Sequence, residues 1–163
     1  AVETLTTDKA FKLFEKFGIF TKAELESREE VLYEIYAKTI NIEALTMVDM
    51  ASKEIIPAVI KYSKSLADSV LAVKEAGADA EVQTELLKVV SAKLTEMKTA
   101  LAKLEEVEAK AAAMENAKDQ AFYYKDVVKA AMDELRKPAD ELEMIVDKKV
   151  WPFPTYADLM FEV

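Results

Sequence analysis

Between Thr21 and Gly77 the chain gives a helix a strong start and no clear stop, and this run limits what the whole can fold into. Thr21 and Glu24 have capping-box spacing, and Phe20 with Leu25 has the spacing of a hydrophobic staple, so a helix begins here. From Thr21 to Lys74, at a rise of about 1.5 Å per residue, it would be roughly 80 Å long. A normal globular helix is shorter, so this one must protrude or bend. Pro57 is the place for a bend, because it lacks an N–H and its ring crowds the preceding turn. A kink near 53–57 is expected, not a break, since Val59, Ile60, Tyr62, Leu66, Val70 and Leu71 resume helical spacing.

The first half of this helix is apolar on two sides. Leu32, Ile35, Thr39 and Ile42 form one face; Tyr33, Tyr36, Ala37, Ile40, Ala44, Met47 and Ala51 form the other. Together they cover more than half the circumference, so the helix should lie between neighbours. Glu43 projects into this apolar arc. It is a candidate catalytic or regulatory carboxylate, but the reading preferred is a buried acid satisfied by a cation or backbone groups. Only Arg28 and Arg136 provide arginine among 22 basic residues. That scarcity suggests sites needing the planar bidentate fork, with Glu43 or Asp49 as candidate partners of Arg136; two ordinary surface arginines is the even alternative.

The remaining segments are helical too. Residues 3–17 form a short amphipathic helix, with Leu5, Phe11, Phe14 and Phe17 on its apolar side and Gly18 fitting the left-handed residue after its end. Gly77 and Asp79 make the next turn, with Asp79 expected as N-cap. A helix over 80–116 follows, in which Leu87, Val90, Leu94, Met97, Leu101, Leu104 and Ala111 keep a 3-4 alternation. A weak turn signal lies between Met114 and Asp119. The last long helix spans 119–148, with Pro138 as a kink or as the first residue of a new segment. Long helices joined by short turns pack antiparallel. The fold class is therefore all-α: one helical domain over 1–163, an antiparallel bundle of three long helices (21–75, kinked near Pro57, then 80–116 and 119–148) with a short N-terminal helix.

Composition narrows the chemistry. The 163 residues suffice for one domain with a core. A net charge of −9 argues against nucleic-acid binding, which needs basic patches. No run reaches transmembrane length and no signal peptide opens the sequence, so no membrane partner and a cytoplasmic location are expected. With no cysteine, disulfide and thiol chemistry are absent; with no histidine, so are the commonest general base and transition-metal ligand. A di-metal carboxylate bundle needs Glu-x-x-His pairs and fails on that count. Two glycines leave no Gly-rich phosphate loop. No residue of the chain is expected to be catalytic, cofactor-binding or metal-binding.

The tail at 151–163 breaks the helical pattern. Pro152 and Pro154 cannot continue a helix, while Trp151, Phe153, Tyr156 and Phe161 carry more apolar surface than water tolerates, at about 150–250 Å² each. An extended Trp-Pro-x-Pro clasp against the bundle, or against something outside the chain, is expected, with Thr155 capping a last short turn through Met160.

Trp151-Pro-Phe-Pro-Thr-Tyr-Ala-Asp-Leu-Met-Phe161, closing a helical chain, resembles the C-terminus of type III glutamine synthetases. Three further stretches are similar to that family in order and approximate spacing. They are Phe17-Gly-Ile-Phe-Thr-Lys-Ala-Glu-Leu-Glu-Ser-Arg28, Ile42-Glu-Ala-Leu-Thr-Met-Val-Asp-Met-Ala51 with Ile56-Pro-Ala58, and Asp133-Glu-Leu-Arg136. Residues 75–118 match in helical character only; Pro138 and the alanines at 109–113 depart from the pattern. The resemblance implies the C-terminal portion of a larger enzyme that ligates ammonia to glutamate with ATP and divalent metal and assembles as stacked rings. It implies ATP, metal and glutamate ligands in the preceding catalytic domain, and no cofactor in this segment. Its partners would be its own catalytic domain and the neighbouring subunits of a ring-shaped homo-oligomer. Arg28, Glu43 and Trp151 carry over as members of matching motifs; with Arg136, Phe153, Tyr156 and Phe161 they form a structural or interface set. The alternative is a free-standing helical-bundle protein–protein interaction module.

Overall fold

The computed structural model describes residues 2–154 and 156–161, all helix, turn or loop, with no strand among them. After a 3₁₀ turn at Val2–Thr6 comes α1, Asp8–Lys16. Thr7 caps it by accepting from the Ala10 N–H at 3.3 Å. Gly18 sits at φ 62°, and the Gly18 and Ile19 N–H groups reach back to the Glu15 and Phe14 carbonyls, closing a Schellman end. Gly77 does the same at φ 77°, with Gly77 and Ala78 donating to Lys74 and Val73. Both are turns in which a side chain would strain the backbone.

The long second helix is α2, Lys22–Met50, running through a π turn at Ala51–Ile55 into α3, Ile56–Glu75. The capping box at its start is formed: the Thr21 N–H donates to Glu24 Oε2 at 2.7 Å, and the Glu24 N–H to Thr21 Oγ1 at 3.3 Å. The expected irregularity before Pro57 takes the form of the π turn. Ile56 donates to the Ala51 carbonyl five residues back, and the Ser52 hydroxyl donates to Val48 O at 2.7 Å. A proline with no N–H and a bulky ring is thus accommodated without ending the helix.

Helix α4 covers Glu81–Ala112. Asp79, the expected N-cap, accepts from the Glu81 N–H at 3.0 Å in an Asx turn, but the helix starts at Glu81, so Asp79 lies one residue ahead of the cap position. Asn116 caps α5, Ala117–Tyr123, through the Asp119 N–H at 3.0 Å. A second π turn, Tyr124–Val128, leads into α6, Lys129–Glu143. Pro138 lies inside α6 and is buried, so its ring serves as core surface and the helix continues past it. The chain leaves the helix after Glu143, ahead of residue 148. Asp147 captures it, its side chain accepting from the Lys149 N–H and its carbonyl from Val150 and Trp151. A short α7, Tyr156–Phe161, closes the described chain. Its proposed cap, Thr155, lies outside the described residues.

Two compact units emerge: residues 1–44 with 107–130, and residues 45–106 with 131–163. The first has Leu25, Tyr33, Ala37, Ile40, Ala44, Val107, Ala111, Ala121 and Tyr124 as its core. Within it Asn41 Nδ2 donates to both Tyr124 Oη (2.7 Å) and Glu108 Oε1 (3.1 Å). The second buries Val59, Val90, Met97, Leu101, Leu104, Leu135, Leu142 and Trp151. There Lys93 meets Glu141 and Lys103 meets Glu134, at 2.7 and 2.6 Å. As the number rises on α4 it falls on α6, so these two run antiparallel. No polar or charged side chain is buried among the described residues.

Candidate functional site

Helix α2 in the first unit is apolar on opposite sides, but only one side is covered. Tyr33, Ala37, Ile40 and Ala44 face the core. Val31, Ile35 and Ile42, roughly 180° away at about 100° per residue, stay in solvent; Ile35 is 55% and Ile42 66% exposed. Leu32 flanks them, also exposed. The expectation of a helix between neighbours is therefore met on one side and open on the other. Glu43 sits in the open half and is exposed, which corrects its reading as a buried acid: the apolar arc is real, but half of it faces water.

At the start of the same helix, Arg28 lays its guanidinium over the Phe20 ring, 4.3 Å from the centroid, and forms no ion pair among the described residues. Phe20 packs against Phe14 at 5.5 Å. Lys22 lies over Phe11 and Lys16 over Phe17, at 5.2 and 5.8 Å. Glu24, the acid one turn ahead of Arg28, is committed to its cap. The Thr21 N–H, then the Thr21 hydroxyl, hold its carboxyl below the usual range, with a smaller push from Arg28. Beside this corner Phe14, Phe20, Leu25, Arg28, Val31 and Leu32 line an open hollow of about 360 Å³. The stacks were not legible beforehand, because only the turn at Gly18 brings Phe14 to Phe20.

Elsewhere in this unit Tyr33 and Phe122 pack at 6.1 Å, and Lys118, paired with Glu3 at 3.0 Å, lies over Tyr33. Burial first, then its hydrogen bond to Glu29, pushes the Tyr33 hydroxyl up. Burial likewise raises Tyr124, against the opposing hydrogen bond from Asn41.

In the second unit the aromatic tail divides. Trp151 is 9% exposed and Phe153 half-buried, together with Met47, Met50, Met97 and Leu135 around a cavity of about 390 Å³. Phe161, at the other end, is 76% exposed beside exposed Leu159 and Met160. The side chain of Tyr156 lies outside the described residues. Lys148 pairs with Asp158 of α7. Arg136 donates from Nε to Asp140 at 3.2 Å, one turn along its own helix, and Asp49 pairs with Lys53 at 2.7 Å. The expected pairing of Arg136 with Glu43 or Asp49 gives way to these local partners, since i,i+4 neighbours on one helix meet without any fold-level requirement. Among the described residues no three acidic side chains converge as a metal site would need, and no helix is long and apolar enough to cross a membrane.

Residues 1–74 match the family model described as the glutamine synthetase C-terminal domain. A glutamine synthetase of Butyrivibrio fibrisolvens is 39% identical over 159 residues, covering 96% of this chain and 23% of that protein. One of Bacteroides fragilis (strain YCH46) is 31% identical over 88% of this chain and 20% of its own length. The type-3 glutamine synthetase of Dictyostelium discoideum is 31% identical over 99% of this chain and 23% of its length. The chain thus spans under a quarter of the length of these curated relatives.

Proposed function

Because the chain belongs with the glutamine synthetase C-terminal domains, we propose that it is a non-catalytic helical domain of a longer, cytoplasmic, ATP-dependent glutamate–ammonia ligase. Its task is packing, against that enzyme's catalytic domain or a neighbouring subunit of a ring-shaped oligomer. ATP, divalent metal and glutamate are handled by the rest of the enzyme.

The observation that carries this is the uncovered side of α2, where Val31, Ile35 and Ile42 stand in solvent opposite the face already buried. Apolar surface repeated along one helix face marks an interaction site, because its burial against a partner is the main favourable term in association.

The test is Ile35→Asp with Ile42→Asp in the longer synthetase, followed by sedimentation and glutamine formation across a range of protein concentrations. Two carboxylates placed where apolar contact is needed must be desolvated or must break the contact. The assembly should dissociate at concentrations roughly tenfold or more above those tolerated by the parent, with activity falling in step. Unchanged mass and activity throughout would refute the packing role.

A further inference from the structure

We infer that the corner formed by Lys9–Arg28 docks an acidic, apolar-rimmed surface of the polypeptide that precedes this domain in the longer enzyme. The inference rests on the packing role above and names the surface and its partner's chemistry.

Charge is the first ground. Residues 9–28 hold Lys9, Lys12, Lys16, Lys22 and Arg28 against Glu15, Glu24 and Glu26, a local +2 in a chain of net −9. Such an island repels no acidic partner and attracts one over a Debye length of about 10 Å at 0.1 M salt. Apolar surface is the second: Leu13, Phe17 and Ile19 are exposed among those lysines, Phe17 at 64%. Arg28 is the third. It is held over Phe20 and forms no ion pair among the described residues, Glu24 feeling only a small push from it, so its fork is already oriented and a carboxylate arriving from outside costs little ordering. This cation shares the outer face of α2 with Val31 and Ile35, so corner and stripe form one surface within the first unit.

The choice of the preceding polypeptide follows from length and order. In the curated relatives this chain accounts for 20–23% of the whole, and its first 74 residues match a domain described as C-terminal. On that reading the remainder of the longer enzyme precedes this domain. A tethered partner has an effective concentration in the millimolar range for a short linker, so a modest apolar and ionic surface suffices to hold it.

The test is zero-length carbodiimide coupling of the full-length enzyme, assembled from a mixture of isotopically light and heavy chains, with crosslinks mapped by mass spectrometry. Amide links from Lys9, Lys12 or Lys16 to Asp or Glu residues ahead of this domain, within peptides of one isotope, are expected. Their yield should fall several-fold at high salt and in Arg28→Gln. Phe17→Ser, at an exposed position that leaves folding intact, should lower it independently. Light-to-heavy links to this domain's own acids would overturn the inference in favour of a second copy. Links confined to the domain itself would overturn it in favour of a solvated corner. If the Ile35/Ile42 variant dissociates the assembly while such upstream links are missing, the packing role stands and the docking surface alone falls.

Discussion

Trp151→Ala measures whether the Trp-Pro-x-Pro segment is part of the core. The ring is 9% exposed, so nearly all its surface is lost from water on folding. Truncating a buried Trp to Ala costs about 3–5 kcal/mol, part from lost transfer energy and part from the cavity left behind. Here the ring already borders a hollow of about 390 Å³ that opens to solvent, so truncation widens an existing space and creates little new enclosed void. The cavity part is therefore small, and the cost should sit near the lower end, about 3 kcal/mol. For a chain of this size 1 kcal/mol moves the melting midpoint by roughly 2–4 °C, so a fall of about 6–12 °C is expected. Far-UV circular dichroism on heating, with urea titration to check that the m-value is unchanged, gives the number. Trp151 is the only tryptophan. Its emission in the parent should shift red in the same transition that circular dichroism reports. A fall under about 2 °C would refute the reasoning, because the segment would then be dispensable to the fold.

Two smaller perturbations test the first unit. Asn41→Ala removes the donor to Tyr124 Oη, a group on a residue only 1% exposed, and should cost about 1–3 kcal/mol by urea unfolding; Tyr124→Phe in the same background should recover most of it. The Glu24 carboxyl, held below the usual range by the Thr21 N–H and hydroxyl, stabilises the start of α2 at pH above the ordinary glutamate value. That contribution is lost as pH falls through the depressed folded-state value. A carboxyl NMR titration should show the depression shrink in Thr21→Ala, and an unchanged titration would show that the capping box does not set it.

What was legible in the sequence was local. The Thr21–Glu24 box, the Gly18 and Gly77 ends and an irregularity before Pro57 depend on a few neighbouring residues, and each is where the spacing places it. Pro138 was harder to read, because a proline's effect on a helix depends on whether its ring finds a core to fill. The same holds for Asp147, whose side chain competes with the helix only when the chain beyond turns back. The arginines show the limit most sharply. Scarcity said each had a specific partner, but the sequence does not say which atoms come near, and Arg136 took the acid one turn away while Arg28 took a ring.

By itself the sequence determined that the chain is all-α, where the long helices start, and that α2 carries apolar residues on two sides, since periodicity and caps act within one or two turns. Only the tertiary structure decided which of those sides is covered, that Glu43 faces water, and that Phe14, Phe20 and Arg28 come together. These depend on which helices approach which, an outcome set by the burial of whole faces at once and not by any short run of residues.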